Sequence, residues 1–387
     1  MENEGAIFVK KPNKTEGKRM RKTIFLIVLT LMTTLCGCGG DIENVSDASS
    51  SDASQAEPDL PYTVITNPYQ SLYNNASNVW DMTIHDGYLY VGAGDYDKNI
   101  SPAKAHRYSL EEQKWSACGL IPDEQIALFK SIGGRLYIPG CDPTADWSMG
   151  NIYLLENDSF EVLRTIPNGV HCFDIVEFDG KLFVALGHTD TNKAFPVAVS
   201  NDGGQSFKTL NADSETLPDR RVYRLFPHGN ELYALNGASV YKYDGEEFVY
   251  TADWRNSFVS GYGFYTRIPA SAYFKGRTYF TTGYLFHFED PQKLQYTIFE
   301  NAIVTDLEVY GDSLYVLCAK PLENGNYLIC LTKTVDGTDY ETIKTIEYPL
   351  PALSFALDGN ELYLGIGDIS EENNIHKGDI LKTEVTP

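Results

Sequence analysis

The feature that most constrains the fold is a turn followed by an aromatic-rich strand, which recurs along the chain. It reads HDGYLYVG from His85, IGGRLYIP from Ile132, FDGKLFVA from Phe178 and HGNELYAL from His228, then FKGRTYFT from Phe274, YGDSLYVL from Tyr310 and DGNELYLG from Asp358. Aligned on the residue before the aromatic (Leu89, Leu136, Leu182, Leu232, Thr278, Leu314, Leu362), the copies are spaced by 47, 46, 50, 46, 36 and 48 residues. A strand such as WDMTI (Trp80 to Ile84) or FDIVEF (Phe173 to Phe178) precedes each copy. A third and a fourth usually follow, as in SVYKYDGEEFVY from Ser239 to Tyr250. Periods of about 40 to 50 residues that hold several short strands are the mark of propeller blades. The sequence therefore predicts an all-β, seven-bladed β-propeller of four-stranded blades, with the short fifth period a trimmed blade.

The chain ends supply a closure. After Leu362 the last blade has room for a second strand and for GDILKTE (Gly378 to Glu384), which leaves one strand missing. PYTVIT (Pro61 to Thr66) precedes the first blade with no other partner, so it is expected to pair with the last blade and remove an open edge. The 26 Tyr and 19 Phe suit such short, half-buried strands, and helical periodicity is scarce.

Charge narrows the partners. The chain holds 31 Lys+Arg against 53 Asp+Glu, and removing residues 1–37, with 7 Lys/Arg and 3 Asp/Glu, deepens the balance from -22 to -26. A surface that acidic repels phosphate backbones. No nucleic acid is expected as a partner, a monomer is expected, and neutral glycans, envelope proteins or cations such as Ca²⁺ stay open.

The N-terminus reads MRKTIFLIVLTLMTTLCGC from Met20 to Cys38: a basic start, an apolar run, then small residues, which is the build of a secretory signal. LCGC, Leu35 to Cys38, resembles a bacterial lipobox, which implies acylation of Cys38 and cleavage after Gly37. Residues 1–37 are then a signal peptide, with 1–19 an over-called start. Residues 38–59 are a lipidated cysteine and a Ser/Asp/Ala-rich tether, and 60–387 a single propeller domain. The expected address is extracytoplasmic, with the chain held on the bilayer through Cys38. Beyond the lipobox, Cys118, Cys141, Cys172, Cys318 and Cys330 show no metal spacing. Cys318 and Cys330 flank the turn ENGN, so a cross-hairpin disulfide or buried free thiols are both open.

One internal signature is more specific. SNDGGQSF, Ser200 to Phe207, resembles the Asp-box, or BNR repeat, of sialidase-like propellers, with Ser200, Asp202, Gly204 and Phe207 at its marked places; TVDGTDY, Thr334 to Tyr340, is a degenerate echo. The resemblance implies a structural hairpin between the third and fourth strands of a blade, with Phe207 packed between blades. YTRIP (Tyr265 to Pro269) is similar to the Arg-Ile-Pro element of sialidases. It stands before the fifth blade, however, and Arg220, Arg221, Arg224 and Arg267 have no spacing that assembles the arginine set, so sialidase activity is not expected.

A ligand face follows from topology. Starts of first strands and ends of second strands share one rim of a propeller, called the top face below. Asp81, Asp174 and Asp306 occupy one equivalent position at the start of three first strands, with Arg224 at or near it in a fourth. Asp95, Asp142, Asp190 and Asp368 follow second strands. His171 and His188 share a blade, and Trp80 and Trp147 lie on the same face. Carboxylates with imidazole, guanidinium and indole can bind a sugar by hydrogen bonds and stacking, or Ca²⁺ by hard oxygen ligands. The repeat itself also places Asp at strand ends to cap loops. Nucleophile and phosphate-loop motifs are absent. The sequence thus points to a ligand-binding module for a glycan or envelope component. The alternatives are a hydrolase or lyase using the carboxylates with His171 or Arg224, and a scaffold for an envelope protein.

Overall fold

Successive residues of a strand point to opposite faces, and the repeated Leu-aromatic pair uses that alternation to join one blade to the next. In the computed structural model, which describes residues 61–69, 74–95, 102–144, 148–188, 195–210, 221–255, 269–368 and 374–385, seven antiparallel sheets are arranged as a propeller. The buried apolar residues fall into seven clusters, each shared by two neighbouring blades. Leu89, Leu136, Leu182, Leu232, Leu314 and Leu362 face the preceding blade. The aromatic that follows each of them, Tyr90, Tyr137, Phe183, Tyr233, Tyr315 and Tyr363, faces the next. Burying each such side chain contributes about 1.5–3 kcal/mol, so this two-residue motif is the adhesive of the ring.

The blade boundaries agree with the repeat. Blade 1 runs Asp81–His85, Tyr88–Gly92, Ala103–Ser109 and Trp115–Ile121. Blade 2 runs Lys130–Ile132, Arg135–Pro139, Met149–Glu156 and Ser159–Pro167, and blade 3 Gly169–Phe178, Lys181–His188, Phe195–Ser200 and Lys208–Leu210. Blade 4 begins at Val222–His228 and ends at Phe248–Asp253, and blade 6 begins at Ile303–Tyr310 and ends at Glu341–Tyr348. Blade 5 keeps four strands, its fourth being only Gln295–Thr297; the short period trims the outer strand. From blade 2 round to blade 1, first strands of successive blades touch one another around the axis. The turn after each first strand is two residues long; at Asp86-Gly87 both residues are left-handed (φ 47 and 78), the backbone a type I′ hairpin turn requires.

Thr63–Thr66 pairs antiparallel with Ile380–Glu384, so the N-terminal strand completes blade 7 as expected. The seal extends further. Asn67 donates from Nδ2 to Lys377 O (2.8 Å) and Asp379 Oδ1 (3.0 Å). Tyr69 is fully buried in the seam between blades 7 and 1, its hydroxyl 2.8 Å from Val91 O and 3.1 Å from Lys104 O. Asn78 exchanges two hydrogen bonds with the backbone of Asp368.

Two short strands were not read from the sequence. Asp123–Gln125 and Cys141–Pro143 extend the sheet of blade 3 inward at the top face to six strands. They belong to a wider pattern in which the end of one blade's second strand bridges to the start of the next blade. Gly94 pairs with Gln125, Cys141 with His171, Gly187 with Arg221 and Gly283 with Val304.

The hairpin SNDGGQSF joins the third and fourth strands of blade 3. Ser200 Oγ donates to Asp202 Oδ1 (2.7 Å) and accepts from Gly204 N (2.8 Å), and Asp202 Oδ1 accepts from Ser206 N (2.9 Å). Phe207 packs in the cluster between blades 2 and 3. Thr334, Asp336 and Gly337 repeat the arrangement in blade 6. Asp244 and Asp290 make the same aspartate turn in blades 4 and 5, which sequence reading missed because neither is preceded by Ser or Thr two residues earlier. Cys318 and Cys330 stand directly opposite in the blade 6 ladder as free thiols, and burial pushes Cys318 up to about 12.

Candidate functional site

Along most of its length the first strand of each blade pairs on one side only, so backbone donors along its other edge need partners. Asp81, Asp174 and Asp306 supply them. Each accepts from the N–H of its own successor: Met82 (2.9 Å), Ile175 (3.0 Å) and Leu307 (2.8 Å). Each also accepts from the next blade: Phe129 N (2.6 Å), Leu225 N (3.1 Å) and Phe355 N (3.1 Å). The three carboxylates therefore tie blade 1 to 2, 3 to 4 and 6 to 7. Arg224 occupies the same register in blade 4 and lies 3.4 Å from Asp174 Oδ1, with Lys130 Nζ 3.3 Å from the same oxygen.

Glu308, two residues beyond Asp306, joins this group from an exposed position. Burial pushes Asp81 up to about 7, against hydrogen bonds from Phe129 and Met82 and the charges of Lys130 and Arg224. Desolvation and the charge of Asp81 raise Asp306 well above the carboxylate range. At the top of blade 2, burial likewise raises Asp123 to about 7, although Asn151 and Tyr153 both donate to it. These groups hold protons more tightly folded than unfolded, so they add stability below about pH 4 and lose it as pH rises towards 7. Asp142 and Asp202, held below the usual range, work the other way and lose their contribution only in stronger acid. Thermal unfolding scans are expected to give a higher Tm at pH 5 than at pH 8; a Tm that falls steadily from pH 8 to pH 5 would contradict these assignments.

A second cluster lies on the top face between blades 2 and 3. His171 and Phe173, two apart on the first strand of blade 3, stack at 5.2 Å and 12°. Phe173 in turn meets Tyr223 of blade 4 at 4.8 Å. Gly187 makes the room: a Cβ there would stand 2.7 Å from His171 Cδ2 and 3.1 Å from Phe173 Cε2. The short strand Cys141–Pro143, paired to His171 through Cys141, brings Asp142 Oδ1 to 2.6 Å from His171 Nδ1. Asp142 has φ 58, an unusual backbone for a residue with a side chain. Burial opposes its charge, but His171, a hydrogen bond from Glu124 and the charge of Arg221 hold its carboxyl below the usual range. Both members of the pair keep solvent contact, with side-chain exposures of 16% and 20%.

Of the remaining sequence candidates, Trp80 donates from Nε1 to Gly94 O (2.6 Å). His188 ends the second strand of blade 3, opposite Gly169. Its side chain, Trp147, Asp190, Arg220, Arg267 and Cys38 lie outside the described residues. Among the described residues no three His, Cys, Asp or Glu side chains converge as a metal ion requires. Glu124, Phe173 and Tyr223 were not singled out from the sequence, because each reads there as an ordinary strand or loop residue. At the opposite rim, a cleft of about 310 Å³ between blades 1 and 2 is lined by Tyr88, Arg107, Arg135 and Asp158. Its charges are mutually engaged: Arg107 lies 2.7 Å from Asp158 and over the Tyr88 ring.

No protein-family model matches the chain, and no curated protein matches it. Among solved structures it is similar to the extracellular domain of BT4673 from B. thetaiotaomicron, at TM-score 0.52 and 11% identity, over 84% of this chain and 42% of that one. YCF48 from Cyanidioschyzon merolae matches at TM-score 0.48 and 10% identity, over 84% of this chain and 98% of that one. BamB from Moraxella catarrhalis matches at TM-score 0.41 and 10% identity, over 79% and 82%. The chain thus spans under half the length of the first of these, and at such identity the likeness is one of fold.

Proposed function

We propose that this chain is a lipid-anchored, extracytoplasmic recognition propeller that binds a glycan of the cell envelope on its top face. The observation that carries the reading is the patch of His171, Asp142 and Phe173, backed by the buried Tyr223, where a half-buried ring adjoins a solvent-accessible carboxylate and imidazole. Sugars ask for that combination: C–H faces for the rings, and hydroxyls for the polar groups. The buried carboxylates of the inner register are occupied by backbone donors, which leaves ligand contact to this patch. The lipobox-like LCGC supports anchoring at Cys38 and an extracytoplasmic address.

A second reading, a carbohydrate-active hydrolase or lyase, is favoured by the His171–Asp142 contact itself, since an oriented imidazole is a common proton acceptor. A glycan and wall-polymer screen of the chain, with and without Ca²⁺ and with product release assayed for every hit, separates the readings. Binding without turnover is the expected result. Turnover would establish the enzyme, and a silent screen would overturn glycan recognition in favour of an envelope-protein partner.

A further inference from the structure

The geometry points to His171 as a proton acceptor of the top-face site, with Nε2 its working atom and Asp142 its positioning residue. This rests on the top-face reading above but concerns what the site does to a bound hydroxyl or water rather than which glycan it holds. Nδ1 lies 2.6 Å from Asp142 Oδ1. At that distance an unprotonated Nδ1 would set its lone pair against a carboxylate oxygen, so the neutral ring carries its proton on Nδ1. Nε2 is then the unprotonated nitrogen. It has no hydrogen-bond partner among the described residues; the side chain as a whole is 16% exposed, and one face of the ring rests on Phe173.

The support behind the ring is layered. Glu124, 3% exposed, hydrogen-bonds Asp142, and the charge of Arg221 acts on the same carboxylate. Asp142 reaches His171 only because its own backbone is left-handed and because the Cys141–His171 pairing fixes the approach of the two strands. A partly exposed base, an orienting carboxylate behind it and a third group behind that make up an acid–base constellation. Any hydroxyl or water poised over Nε2 can pass its proton there, with Asp142 fixing the ring from the Nδ1 side.

The test needs no knowledge of the ligand. Diethyl pyrocarbonate acylates the unprotonated imidazole nitrogen: a bond forms between Nε2 and a carbonyl carbon, ethyl carbonate leaves and breaks down to carbon dioxide and ethanol, and no redox partner is involved. With the full chain near neutral pH, peptide mapping is expected to find His171 modified faster than the half-buried His106 and His287. Asp142→Asn is expected to slow that reaction by about tenfold, and Asp142→Glu to restore most of it. Nitrogen NMR of the same proteins reads the tautomer directly: Nδ1–H in the parent, and a mixture in Asp142→Asn. An Nε2–H tautomer in the parent, or an acylation rate untouched by Asp142→Asn in a folded protein, would overturn the assignment. A silent glycan screen would leave both readouts standing.

Discussion

Replacing Tyr69 with alanine is expected to lower the free energy of unfolding by about 3–5 kcal/mol, the range for truncating a fully buried aromatic side chain. Every seam between blades is crossed by continuous chain, and at the seam between blades 7 and 1 that chain is the segment that runs from Thr63–Thr66, the outer strand of blade 7, to the first strand of blade 1; the ring's one non-covalent closure is the pairing of Thr63–Thr66 with Ile380–Glu384 inside blade 7. Tyr69 fills that seam and bridges the carbonyls of Val91 and Lys104, both on blade 1. Removing the ring leaves a void next to Met82, Leu89 and Tyr363 and leaves the carbonyls short of a donor. Denaturant unfolding of the mutant beside Tyr310→Ala, whose ring is 40% exposed in the parent, makes the comparison. The exposed site should change stability by less than about 1 kcal/mol, and equal effects at both sites would show that the seam is not the weak point of the ring.

The second large effect is expected at Gly94. Its φ is +135, and a Cβ there would lie 2.3 Å from Glu124 O and 2.4 Å from Gln125 Cα. Both are backbone atoms of the extra strand Asp123–Gln125, which precedes blade 2 in the chain and is held there by the Gly94–Gln125 bridge, so they cannot step aside as a flexible side chain would. Gly94→Ala is expected to destabilise the protein by about 3 kcal/mol or more, through strain and loss of the bridge together. Gly87→Ala tests the argument, since nothing lies within 4 Å of its added Cβ. That mutant should suffer only the backbone penalty of about 1 kcal/mol. Equal losses at the two glycines would mean that φ alone, and not the close approach of Asp123–Gln125, dictates the residue.

These positions show how far the sequence could be read. The blades were legible because Leu then aromatic, placed after a turn, is a local pattern that reports directly on two interfaces. The closing strand was legible by elimination. Tyr69 was not, since NPYQSLYNN reads as a linker and the partners of its hydroxyl lie on another blade. Asp123–Gln125 and Cys141–Pro143 were missed because three residues are too few to show alternation. The Asp81, Asp174 and Asp306 register was visible as a repeat, but the partner N–H of each lies about 50 residues away, so its part in tying blades together appears only in three dimensions. His171 and Asp142 were each legible as polar residues of the top face. Their contact was not, because it depends on a left-handed aspartate and on an extra strand.

Where the ligand sits is the claim on which the functional account depends most. The direct measurement is the affinity of each glycan hit for three folded proteins: Phe173→Ala, His171→Ala and, at the opposite rim, Arg135→Ala. Loss of binding in the first two with full retention in the third is the predicted result. Binding lost only in Arg135→Ala, or retained in all three, would contradict a recognition site on the top face.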